Sequence, residues 1–217
     1  MIPEDSSTAL SACARARPSV VWTEGLIARA ICRQILDRKC VVLVENCQWT
    51  GHECDVLGLT TKRQIIDIEV KISRADFKAD AKKDKWWHYP DYTEALDAGL
   101  TTPGKWDPYA IRIPVSHPPR VWKHYYAMPA SIWKPELLQS MPSQSSGVIL
   151  LREQDSVETP VVAYLERRAV PSKNACLLTP DQVLDVARVA NLRMWQAYQD
   201  RDTAIAKLRE RDRESIQ

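Results

Sequence analysis

The residues able to do chemistry gather between positions 51 and 71 of a 217-residue chain. Gly51-His-Glu-Cys-Asp-Val-Leu-Gly-Leu59 comes first, a polar turn at Thr61-Lys-Arg63 follows, and Asp67-Ile-Glu-Val-Lys71 closes the stretch. In an extended strand, side chains alternate. Asp67, Glu69 and Lys71 therefore share one face, and Ile66, Ile68, Val70 and Ile72 share the other. The apolar face is core. Asp55 begins the preceding strand, 14 residues upstream of Glu69, and a hairpin of that length can bring its carboxylate beside Glu69. Two adjacent carboxylates repel unless a cation lies between them. Oxygen donors without a well-placed His or Cys favour a hard divalent ion, Mg²⁺ or Mn²⁺. Such an ion polarises a phosphodiester and acidifies a bound water, and a lysine two residues on can orient that water or stabilise developing negative charge. The competing reading makes Asp67, Glu69 and Lys71 a solvated strand face with cross-strand ion pairs. The upstream acid, the hairpin spacing and the helix carrying Glu24 weigh against it.

Other ligating residues carry less. Cys47, His52 and Cys54 combine thiol and imidazole, but a fourth ligand and the paired spacing of zinc sites are missing, so they read as buried or idle thiols. Glu53 shares the face of Asp55 and is expected at the surface. Asp67 is expected to stay clear of the site.

The elements that position these groups follow from pattern. Thr23 is placed to cap a helix whose apolar face is Leu26, Ile27, Ala30, Ile31, Ile35 and Leu36, running to about Arg38. Three strands follow, over 39–47, 55–60 and 64–72, the last two an antiparallel hairpin. Ser73 caps a second helix expected to run to about Tyr89. Residues 97–120 read as loop. Strands are expected over 121–128, 147–151 and 161–165, and Thr179-Pro180 starts a last helix. The order implies one α/β or α+β domain over 19–199, an N-terminal arm of low order over 1–18, and a charged helical tail over 200–217.

Glu24 on the first helix, Asp55 on the second strand and Glu69-Val70-Lys71 on the third occur in the order of the PD-(D/E)XK nuclease superfamily, which the chain resembles. Lys71-Ile-Ser-Arg-Ala-Asp-Phe-Lys-Ala-Asp80, then Lys83 to Tyr89, then Tyr125-Tyr-Ala-Met-Pro129 narrow the resemblance to MmcB-type DNA repair proteins and their phage relatives. The resemblance implies an α/β, restriction-endonuclease-like core with a central mixed β-sheet flanked by helices. It implies a deoxyribonuclease dependent on Mg²⁺ or Mn²⁺, acting in repair, recombination or phage replication in the cytoplasm of a bacterial or phage-infected cell. Asp55 and Glu69 would be metal ligands, with the Val70 carbonyl completing the set. Lys71 would position the attacking water, and Glu24 would reach the metal through water. Cys54 stands where the superfamily's nominal motif has proline.

Between Lys62 and Lys85 there are eight basic and five acidic residues, a local charge of +3. Arg74, Lys78 and Lys82, spaced by four, can share a helix face and follow a DNA backbone, with Lys85 beyond them. The alternative is a solvated helix whose Asp76, Asp80 and Asp84 pair with the lysines. Trp86, Trp87 and Tyr89 are expected to cap the core rather than stack on bases.

Composition bounds the rest. With 45% hydrophobic residues the chain can build a core, and 30 Lys+Arg against 28 Asp+Glu exclude a charge-dominated binder. No signal peptide and no apolar run of ~18 residues is visible. Six scattered cysteines without a CxxC pair fit a reduced, intracellular setting. Alternating charges beyond Asp200 suggest a solvated extension, with homodimerisation as the alternative. Two non-catalytic readings compete with the nuclease: a DNA-binding module of the same fold, and a structural adaptor.

Overall fold

A computed structural model describes residues 20–107, 109–156 and 158–214; the expected arm over 1–18 lies outside them. Thr23 starts the first helix, α1 (Glu24–Ile31), its side-chain oxygen accepting from the Leu26 amide. The helix continues as a π-helical turn over Cys32–Leu36. Three strands, β1 (Cys40–Cys47), β2 (Cys54–Thr60) and β3 (Ile65–Val70), then form an antiparallel meander. The chain leaves the sheet for α2 (Arg74–Ala79), β4 (Trp87–His88), α3 (Tyr92–Asp97) and β5 (Ile113–Pro114). It returns as β6 (Val121–Pro129), parallel to β3, followed by β7 (Gly147–Glu153), β8 (Val161–Arg167) and α4 (Pro180–Glu214).

The six-stranded sheet runs β1-β2-β3-β6-β7-β8, with β6 parallel to both neighbours and β8 antiparallel to β7. This is an α/β protein with a central mixed sheet and flanking helices. One sheet face packs Val56, Ile66, Ile68, Val70, Ala127 and Ile149 against Ile27 and Ile31 of α1. The other face has two apolar patches. Leu57, Leu59 and Ile65 meet Val186 of α4, and Phe77 and Trp86 of the crossover meet Tyr126 and Met128. The charged residues of β3 lie on this second face.

One competing reading fails here and one expectation needs correction. The solvated strand face does not exist: all of β3 is buried, with Asp67 and Glu69 at 0% and 1% exposure. The helix expected over 73–89 is also far shorter. Ser73 caps it as expected, accepting from the Asp76 amide, but α2 ends at Ala79 and short 3-10 turns follow at Asp80–Lys82 and Asp84–Trp86. Lys83 is extended (φ −68°, ψ 140°). The break lets Asp80, Lys83 and Lys85 turn toward the sheet, and their ion pairs outweigh the lost helical hydrogen bonds.

Candidate functional site

Antiparallel pairing sets Val56 opposite Ile68 and Leu57 opposite Asp67, so Asp55, one step beyond, falls beside Glu69. The Val70 amide donates to Asp55 Oδ2 at 2.7 Å, and no donor reaches Oδ1 among the described residues. Burial, and then the neighbouring Glu69 charge, push the Asp55 carboxyl up to about 6. Glu69 is heavily paired. Its Oε2 accepts from Lys71 Nζ at 3.0 Å and Lys83 Nζ at 2.8 Å, and its Oε1 accepts from Lys85 Nζ. Burial works to raise this carboxyl, but the lysines, Lys85 foremost, hold it below its usual range.

Asp80 is the opposing anchor. Its Oδ1 lies 3.1 Å from both Lys71 and Lys83 Nζ, as ion pairs rather than aligned hydrogen bonds. Its Oδ2 accepts from Trp86 Nε1 at 3.0 Å and from the Tyr126 hydroxyl. Burial disfavours the Lys71 ammonium, yet Asp80 and Glu69 together raise its pKa, so it stays protonated and serves as a donor, not a base.

Asp67 extends the cluster away from Asp55. Its Oδ2 lies 3.1 Å from His52 Nε2, 3.7 Å from Lys85 Nζ and 3.9 Å from His124 Nε2. Burial favours the neutral form of Asp67, but Lys85, then His52, hold it down to about 2. Burial drives His124 down to about 4, so it is neutral, and its Nδ1 is 2.9 Å from Ser146 Oγ. Asp55, Asp67, Glu69 and Asp80 thus face Lys71, Lys83 and Lys85. With all acids ionised, these seven groups hold one more acid than base, and the more exposed Asp76, 3.8 Å from Lys71 Nζ, adds a further acid at the rim.

The structure brings Asp55, Glu69, Val70 and Lys71 together as the spacing anticipates. It does not bring Glu24 to them. That residue is exposed at the start of α1, which packs on the opposite sheet face, and no hydrogen bond or ion pair joins it to the cluster. Lys85 is the other correction. Expected on a DNA-facing row, it is 6% exposed and points inward, because Glu69 and Asp67 bind its ammonium. Lys78 and Lys82 are exposed, but α2 ends before Lys82. Arg74 is exposed and donates to the Ile132 carbonyl at 2.7 Å, which ties it to the loop after β6. Glu53 is at the surface as expected, whereas Asp67 reaches the cluster through Lys85.

Asp80 and Lys83 were missed as site members. Their i,i+3 spacing looks like an ordinary surface ion pair, and only the helix break reveals otherwise. Trp86 belongs to the core, edge-on to His124. At the far end of the β1–β2 turn, the neighbouring Cys54 thiol holds the Cys47 thiol below its usual range.

No protein-family model and no curated protein matches the chain. Among solved structures, it is similar to a protein of unknown function from Silicibacter pomeroyi, with 23% identity over 84% of this chain and 94% of that one, and a TM-score of 0.48. No helix among the described residues is long and apolar enough to cross a membrane.

Proposed function

We propose that the chain is a divalent-metal-dependent deoxyribonuclease of the PD-(D/E)XK type. The observation that carries this reading is the meeting of Asp55 and Glu69 from adjacent strands, with Lys71 on the same face, inside a buried cluster that has excess acid. The donor set suits the ion. Asp55 and Glu69 offer carboxylate oxygens, Asp55 Oδ1 has no donor among the described residues, and an acid raised by burial and then by a neighbouring acid is one that a cation would relieve. Asp55, Glu69 and the Val70 carbonyl would hold Mg²⁺ or Mn²⁺. The ion would supply a Lewis acid for the phosphodiester and lower the pKa of a bound water.

The protein's own groups have definable tasks. The Val70 amide fixes Asp55. Asp80 and Glu69 hold the Lys71 ammonium between them, where it can orient a water and stabilise charge developing on phosphate oxygens. Lys83, with 45% of its side chain exposed, is the partner of Glu69 most able to swing toward a DNA phosphate. Lys78 and Lys82 supply exposed positive charge nearby for the backbone. Repair, recombination or phage replication in the bacterial cytoplasm is the setting that the MmcB-type resemblance implies.

One observation favours a second reading. Both oxygens of Glu69 are already paired with ammonium groups, as they would be in a DNA-binding module of the same fold without catalysis. A panel of single-stranded, duplex, flap and junction DNAs with Mg²⁺ and Mn²⁺ separates the two. The nuclease reading expects metal-dependent products, reduced about 10²–10³-fold or more in Asp55→Ala and Lys71→Ala with folding intact. Salt-sensitive binding without products under every metal supports the module. Cleavage retained in both variants overturns the assigned roles.

A further inference from the structure

A second set of ligating side chains lies on the face of β3 that carries Glu69, and its chemistry is different. Cys47 ends β1 and Cys54 begins β2, directly opposite each other. The turn between them is tightly specified. Gly51 has φ +94°, its amide donates to the Gln48 carbonyl, and the Thr50 hydroxyl donates to the His52 carbonyl at 3.0 Å. Thr50 Oγ1 also lies 3.3 Å from Cys54 Sγ. This folding returns the His52 ring to β3, with Nε2 3.1 Å from Asp67 Oδ2. One donor atom each from His52, Cys54 and Asp67 falls within 4.8 Å of the other two.

Burial makes the group unusual. Cys54 and Asp67 are fully buried, Cys47 is 2% exposed, and only the edge of His52 meets solvent. Among the described residues, Asp67 Oδ1 is buried with no hydrogen-bond partner. An unmet carboxylate oxygen in a dry interior costs several times what an ordinary hydrogen bond contributes. It therefore marks a place for a partner. The sequence lacked a further ligand near Cys47, His52 and Cys54, and β3 supplies one from outside that segment.

We propose that His52, Cys54 and Asp67, with Cys47 as the fourth donor, bind a zinc-class divalent ion that clamps the β1–β2 turn to β3. Imidazole, thiolate and carboxylate suit borderline-soft Zn²⁺, whereas Mg²⁺ takes oxygen and keeps its waters. Tetrahedral zinc holds its donors roughly 3.3–3.8 Å apart, and His52 Nε2 and Asp67 Oδ2 already stand 3.1 Å apart, so Cys54 must approach that pair by up to about 1 Å. Cys47 Sγ lies outside that group of three and, paired opposite Cys54 on β1, must turn toward it to ligate. Both cysteines are free thiols, so binding releases their two protons to solvent and leaves two thiolates on the metal. Four protein ligands close the shell, which makes the site structural rather than catalytic. It does not depend on the nuclease reading, although Lys85 stands between Asp67 and Glu69 and links the two sites.

The test uses the full chain, reduced with a non-chelating phosphine and titrated with Co²⁺ and then Zn²⁺. One equivalent of Co²⁺ should produce thiolate-to-cobalt charge transfer and tetrahedral d–d bands, which Zn²⁺ abolishes while raising the melting temperature. Cys54→Ser and His52→Gln should each weaken binding by about 100-fold or more. Cys47→Ser should roughly halve the charge-transfer intensity. Asp55→Asn, in the acidic site, should leave the bands intact. His52→Gln keeps a polar amide facing Asp67 in place of the ring, which keeps the test decisive if Cys54→Ser does not fold. The absence of charge transfer in the reduced wild type, or its persistence in His52→Gln, overturns the proposal.

Discussion

At the scale of single residues, Asp55 and Lys85 show opposite ways of placing charge in a protein interior. The Asp55 carboxyl titrates near 6 in the fold against 3.8 in a free chain. The native state therefore binds the extra proton. Its contribution to stability is full below about pH 4 and is lost as pH rises through about 6. Asp55→Asn keeps an oxygen for the Val70 amide and removes the charge. Without divalent ions, thermal melts at pH 7.5 should show the variant more stable by about 1–2 kcal/mol, after allowance for partial solvent screening, and at pH 4 the difference should vanish. An unchanged gap between the two pH values would refute the assigned protonation. Lys85 is the reverse case, a buried ammonium shared by Glu69 and Asp67. Lys85→Met strips Glu69 Oε1 of its ammonium and leaves Asp67 with His52 alone, and should cost about 3–5 kcal/mol in urea unfolding. Exposed Lys78→Ala should stay within about 0.5 kcal/mol.

At the scale of elements, what could be read from sequence depended on whether the cause was local. The β2–β3 hairpin was legible because alternation and a short turn determine register, and register alone puts Asp55 beside Glu69. The caps at Thr23 and Ser73 were legible for the same reason. The end of α2 was not, because Asp80 leaves the helix for Tyr126 on a strand 46 residues away. The Asp91/Glu94 capping box of α3 was present in the sequence and passed over. The site divides likewise: Asp55, Glu69 and Lys71 lie on one hairpin, whereas Asp80, Lys83 and the company of Asp67 required tertiary structure. Close packing between elements makes its own demand at Gly147. It pairs with Tyr125, and a Cβ there would collide with the Tyr125 ring and the Ala169 backbone. Gly147→Ala should cost about 1–3 kcal/mol by chemical denaturation, since neither the strand nor the adjacent backbone can yield freely. A neutral result would show that β6 and β7 are not packed as described.

At the scale of the whole molecule, a net charge of +2 conceals how the charges are distributed. Seven ionisable acids and lysines are drawn into one buried cluster, while α4 carries its own alternating charges out into solvent. Among the described residues that helix packs at its start, where Val183, Val186, Val189 and Ala190 lie beneath β1 and Arg193 donates to the Asn46 carbonyl. From residue 191 to 214 it is exposed throughout. Ending the chain after Gln199 should therefore shift the melting temperature by less than about 2 °C, and a larger fall would mean that the extension is braced by contacts with a second chain. The parallel pairing of β3 with β6 has a consequence in time. The meander β1–β2–β3 needs only short turns, but β6 can join it only after residues 71–120 have been closed into a loop, at an entropic cost on the order of 3–4 kcal/mol. Lys83 and Lys85 travel on that loop. Until it closes, Asp67 and Glu69 stay on the wet side of a nascent meander, so on a ribosome the charges of the site would leave water later than the rest of that meander.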